Sequence, residues 1–164
     1  MLTRLCRPGL LVCATIQLAG CGAMMRQQNV DARTEEILWN EMVPKYEIGR
    51  PCGEASEAIA QMYTREGYEV ATQTAARVTS KLRYRNAGGA LAAADDQQTT
   101  LVNATLRPSG SGCRLEIAFT DRFGSRVRNE RAPNWELLIF EKLEPERVQA
   151  LRTEARQRAE AEYK

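Results

Sequence analysis

Histidine is absent from the chain. Imidazole is the commonest general base and the commonest ligand for zinc, copper and iron. Its absence excludes a conventional Ser-His-Asp triad, so Ser109 and Ser111 read as turn residues. An enzyme built on this chain would have to work with carboxylates, lysine or serine alone. Long apolar runs are also missing: no stretch reaches the roughly 20 residues needed to cross a bilayer. Net charge is slight, +2 over 164 residues, too small to imply a nucleic-acid partner. The phosphate cradle of a P-loop is lacking, because Gly88-Gly89 has neither the spaced glycines nor the following lysine. Asp95-Asp96 has no further acids at ligand spacing, so no metal or cofactor is expected.

What is present is ordinary globular composition, 43% apolar and 27% charged, compatible with one core. The first residues have the form of an export signal. Arg4 and Arg7 make a positive start, and Gly9 to Leu18 is a short apolar stretch about half the length of a membrane span. Leu18-Ala19-Gly20-Cys21 follows.

That tetrapeptide resembles the lipobox of bacterial lipoproteins. The resemblance implies cleavage before Cys21, diacylglyceryl transfer to its thiol, and stable anchoring by several acyl chains. It divides the chain into a signal peptide (1–20), a lipidated tether (21–30) and a single domain (31–164). Gly22, where aspartate would favour inner-membrane retention, implies the periplasmic face of the outer membrane. Cys6 and Cys13 leave with the signal. Cys52 and Cys113 remain as a pair in an oxidising compartment and are expected to form a disulfide, the alternative being two reduced, buried thiols.

Beyond the tether, Asp31 is expected to cap a helix through Glu41, with Ile37, Leu38 and Trp39 as its apolar content and Pro44 ending it. Ala55, Ile59, Met62 and Tyr63 make one stripe on a helix from Gly53 to Glu66, with Glu54 and Glu57 near its positive end and Gly67 as its stop. Strands are expected over Tyr68–Thr74, Ala76–Arg85, Thr99–Arg107 and from Cys113 to Thr120. In the second, Val78, Leu82 and Tyr84 should point inward. In the third, Val102, Ala104 and Leu106 should do so, and in the fourth Cys113, Leu115, Ile117 and Phe119. Asn86–Gln98 reads as a mobile loop and Pro108–Gly112 as a turn. The fourth strand either continues through Phe123 and Val127 or turns at Gly124-Ser125. Pro133-Asn134 introduces a helix with Trp135, Leu138, Ile139 and Leu143 on its apolar side. Pro145 opens another, with Val148, Leu151 and Ala155 inward and a frayed end beyond Ala155. The sum is an α+β fold: an antiparallel sheet of about four strands with helices packed on one face.

Alternation places Arg77, Lys81, Arg83, Arg85, Arg107 and Arg114 on the outward side of the strands. The plain reading of that basic face is a solvated surface that discourages edge-to-edge aggregation. The functional reading is contact with anionic lipid headgroups or an acidic envelope partner. Cys52-x-x-Ala55 and Gly67-Tyr68-x-Val70 ahead of a run of strands resemble uncharacterised domains of proteobacterial outer-membrane lipoproteins. The order of helix, sheet and helix is also similar to the helix-grip modules of an outer-membrane assembly lipoprotein. Neither resemblance supplies a catalytic residue. The expectation is a membrane-anchored, non-enzymatic binding or scaffolding module with an envelope protein or anionic envelope component as partner. The alternative is an envelope hydrolase that works with carboxylates.

Overall fold

The computed structural model describes residues 24–86, 97–123 and 125–163. A helix (α1) covers residues 24–37, so the stretch expected to be an irregular tether is already helical from residue 24, and Val30 is buried. Asp31 lies inside α1, where it accepts a hydrogen bond from Gln27, rather than capping its start. The helix then widens over Leu38–Met42, where the N–H of Val43 reaches back to the carbonyl of Leu38. Pro44 has no N–H to continue an α-helical ladder, and a short 3-10 turn, Val43–Lys45, closes the run. Ile37 and Leu38 are buried as expected, whereas Trp39 is on the surface.

Strand β1 (Glu47–Ile48) leads into helix α2 (Cys52–Arg65). Ala55, Ile59, Met62 and Tyr63 are all buried along one side of α2, and Gly67 terminates the turn after it with φ of 78°. Strands β2 (Val70–Gln73), β3 (Arg77–Ser80), β4 (Arg83–Asn86), β5 (Gln97–Ser109), β6 (Gly112–Phe123) and β7 (Arg126–Arg131) follow. Helices α3 (Pro133–Leu143) and α4 (Pro145–Glu162) end the chain.

Among the described residues the sheet has seven antiparallel strands, more than the four expected. Three differences account for the larger number, the first being β1, where no strand is expected and which pairs with the start of β6. The run expected as one strand over Ala76–Arg85 breaks at Lys81-Leu82 into β3 and β4. At the far end of β6 the chain turns back, and β7 pairs with β6 from Ala118↔Arg131 to Phe123↔Arg126. The expected Asn86–Gln98 loop is narrower: Asn86 and Gln97-Gln98 belong to strands, and 87–96 lie outside the described residues.

The centre of the sheet is the long hairpin of β5 and β6, paired from Gln98↔Phe123 to Ser109↔Gly112. The turn between them is shorter than expected, Gly110-Ser111. Val102, Ala104, Leu106, Cys113, Leu115 and Ile117 alternate inward and are buried, as the period of two requires. Gly112 is needed for close approach, because a Cβ there would meet the carbonyl oxygen of Ile48 at 2.2 Å. Helices α2 and α3 cover this inner face, and α4 packs on α3 and the widened turn.

Length decides how far that cover extends. At 14 residues, α2 spans about 21 Å. At 13 residues, β5 spans roughly 44 Å. About half of the central hairpin therefore overhangs the helices. Leu82 and Tyr84, expected inside, are 53% and 64% exposed, because Leu82 falls in the break between β3 and β4 and Tyr84, opposite Thr99, is on the face that carries no helices.

The inner side of α3 also differs from expectation. Glu136, Leu137, Ile139 and Phe140 are buried and Leu138 is 43% exposed. A pattern drawn on apolar residues skips Glu136, and counting that acid as a core position rotates the buried stripe by one residue. Val148, Leu151 and Ala155 face inward on α4 as expected. The helix does not fray after Ala155: Ala159 is fully buried, and Glu162 forms an ion pair with Arg33 at 2.7 Å.

Candidate functional site

Cys52 and Cys113 form the expected disulfide, which joins the first residue of α2 to the second residue of β6. Cys113 is fully buried and Cys52 nearly so. Cys21 lies outside the described residues.

The basic residues expected to share one face do not do so. Arg77, paired in register with Thr105, and Arg107, opposite Arg114, lie on the open face of the sheet. Arg83 is opposite Thr100, which shares its face with the buried Val102 and Ala104, so Arg83 belongs to the helix side. Its guanidinium sits 5.1 Å from the centre of the Tyr68 ring and donates to the carbonyl of Glu66. Lys81 falls in the break between β3 and β4 and pairs with Glu69. Arg85 pairs in register with Gln98, and its side chain lies outside the described residues. The irregularity at Lys81-Leu82 shifts the alternation, and this divides the arginines between two faces. Arg114 is further tied to Glu47, which holds that carboxyl below the usual range.

Among the described residues, the carboxylates whose ionisation is shifted are all engaged. Glu136 is fully buried, receives the N–H of Ile117 at 2.9 Å, and is gripped at both oxygens by Arg131 at 2.8 and 2.7 Å. Burial raises its pKa, and those hydrogen bonds act against the rise. Burial likewise disfavours the Glu144 carboxylate. Hydrogen bonds from Tyr46, the N–H of Gly49 and Arg147 outweigh that and hold it below the usual range. Glu162 is lowered by Arg33. Among the described residues no group of three acids or cysteines converges to hold a metal ion. The grooves beside α4 are open and of mixed charge. One of about 590 Å³ runs past Tyr46, Arg147, Leu151 and Arg158, and another of about 490 Å³ runs past Glu35, Leu38 and Arg156.

Where the sheet overhangs the helices, it forms a wing of β4, the start of β5, the end of β6 and β7. All of β7 is exposed. Tyr84, Phe123 and Val127 are 64%, 48% and 52% exposed there. At the root of the wing an aromatic cluster closes the core. Trp135 lies edge-on to Phe119 at 4.8 Å and to Tyr68 at 5.8 Å, with Tyr63 at 6.0 Å. The Tyr63 hydroxyl is buried without a hydrogen-bond partner, and burial pushes its pKa up.

The wing is not legible in the sequence, because overhang depends on the relative lengths of α2 and the β5–β6 hairpin. The signal for its strand β7 is the Gly124-Ser125 turn option, with Phe123 before it and Val127 after it as residues of strand character. No protein-family model matches the chain, and no curated protein does so either.

Proposed function

We propose that this chain is a non-enzymatic binding or scaffolding module of a bacterial envelope, anchored by lipid at Cys21 to the periplasmic face of the outer membrane. The observation that carries the non-catalytic part is the engagement of its shifted carboxylates. Glu47, Glu136, Glu144 and Glu162 each answer an arginine. A carboxylate hydrolase needs one acid held protonated and another free to act on substrate. The placement rests on Leu18-Ala19-Gly20-Cys21 and draws support from the Cys52–Cys113 disulfide, a bond favoured in oxidising compartments.

The anchor would be close. Only Gly22 and Ala23 separate Cys21 from the described helix, a reach of about 11 Å at full extension. An acylated Cys21 therefore holds α1 near the headgroups instead of letting the domain swing on a long tether.

Mass spectrometry of the protein purified from a bacterial membrane tests the anchor. The expected product begins at Cys21 and carries acyl mass on that residue; an intact leader or an unmodified Cys21 overturns it. Cross-linking in native envelopes followed by co-purification tests the module. Recovery of a defined envelope component supports it, and turnover of an envelope polymer by the purified protein overturns it.

A further inference from the structure

The wing is apolar and basic on both of its faces. On the open face, register aligns Tyr84, Thr99, Arg122 and Val127 across four strands. On the helix side, Phe123 stands between Gln98 and Arg126, and the next inward-facing row sets Arg83 and Arg128 at either end of Thr100 and Asp121. The acids of this region are occupied: Asp121 accepts from the Thr100 hydroxyl, and Glu130 pairs with Arg128.

A protein partner that docks on a sheet covers one face, and one that adds a strand covers an edge. Neither accounts for large apolar side chains flanked by arginines on both sides of one slab. A membrane interface does, because it surrounds whatever enters it. Aromatic rings settle at headgroup level, and guanidinium groups meet lipid phosphates.

We propose that the wing tip enters the headgroup layer of an anionic membrane, with Tyr84, Phe123 and Val127 as its apolar contacts and Arg122 and Arg126 as its phosphate contacts. This goes beyond anchoring at Cys21. It needs no acyl chain, so the two readings fail separately.

The test uses residues 22–164, which contain the whole described core from Val30 to Ala159 and the disulfide. This unacylated protein is mixed with phosphatidylcholine vesicles, with or without phosphatidylglycerol, and sedimented. Binding is expected only with phosphatidylglycerol, and it should weaken as salt is raised. Arg122→Gln with Arg126→Gln should weaken it roughly tenfold or more. Phe123→Ser with Val127→Ser should also weaken it, and because these side chains are exposed both double variants should melt with the parent. Absence of binding at low salt by folded protein overturns the proposal. So does binding that neither double variant alters, or a photo-cross-linker at Tyr84 that captures protein instead of lipid in native envelopes.

Discussion

The carboxylate of Glu136 receives the backbone N–H of Ile117 at 2.9 Å, in the stretch of β6 that neither β1 nor β7 covers. β1 pairs with β6 only at Cys113 and Arg114, and β7 takes over at Ala118. Between them the edge of β6 is open, and a buried N–H cannot be left without a partner at small cost. Glu136 stands where a strand would have been, and Arg131 neutralises it. Glu136→Ala should therefore cost about 3 kcal/mol, since it strands both the N–H and the guanidinium. Glu136→Gln, which keeps an acceptor, should cost less. Urea unfolding of the two variants decides; a Glu136→Ala midpoint equal to the parent's removes the assignment.

The opposite edge of the hairpin repeats the device with a smaller side chain. β3 pairs with β5 at residues 103–105 and β4 at 97–100, and the N–H of Val102 between them donates to the Ser80 hydroxyl at 3.0 Å. Ser80→Ala should destabilise the protein by about 1–2 kcal/mol. It should also accelerate hydrogen exchange at the Val102 amide more than at its neighbours. Unchanged protection of Val102 would show that the hydroxyl is dispensable.

Tyr63 makes the reverse prediction. Its hydroxyl is buried and has no partner, so Tyr63→Phe removes a desolvation penalty while keeping the ring against Trp135. The variant should be as stable as the parent or more so, by up to about 1 kcal/mol. A loss of more than that in thermal unfolding would mean the hydroxyl is satisfied in solution.

Removing the disulfide should act mainly on the unfolded chain. The bridge spans a sequence separation of 61, worth about 4 kcal/mol on the chain-entropy account. Cys52→Ser with Cys113→Ser should lower the denaturation midpoint accordingly. Thiol titration of the unfolded parent should read two more free thiols after reduction than before. Equal counts would mean that the bridge does not form in solution.

Acid sensitivity should include a contribution from Glu144. Its folded pKa lies below the ordinary value of 4.5. The stability it contributes is thus present above that pH and is lost as pH falls from there through the folded value. Stability measured from pH 5 downward should decline less steeply in Glu144→Gln, which starts lower. Parallel declines in the two proteins would place the linkage elsewhere, at Glu47 or Glu162.

The parts of this fold legible in the sequence are those where one periodicity operates without interruption. The Ala55-Ile59-Met62-Tyr63 stripe and the two alternating strands around Gly110 are of this kind. The pairing of Cys52 with Cys113 is legible for another reason, because those are the two cysteines of the domain. What escaped depends on residues acting against type. Glu136 is a charged residue in the core, and that displaced the reading of α3. Lys81-Leu82 interrupts an alternation that looks continuous on paper, so Arg77 and Arg83 were assigned to one face when they occupy two. The wing escaped because overhang is a matter of relative length, and no single segment declares how far its neighbour reaches.

The sulfur bridge also has a consequence for how the molecule can come apart. From Cys52 to Cys113 the backbone is a closed covalent ring that contains α2, β2 to β5 and the hairpin turn. A single protease cut inside that ring leaves one molecule, whereas a cut beyond Cys113 frees everything downstream, including α3 and α4. Those two helices can thus peel away while the ring stays whole, as can α1 on the other side of Cys52. Limited digestion should release them as a fragment under conditions where nicks in the ring become visible only after reduction.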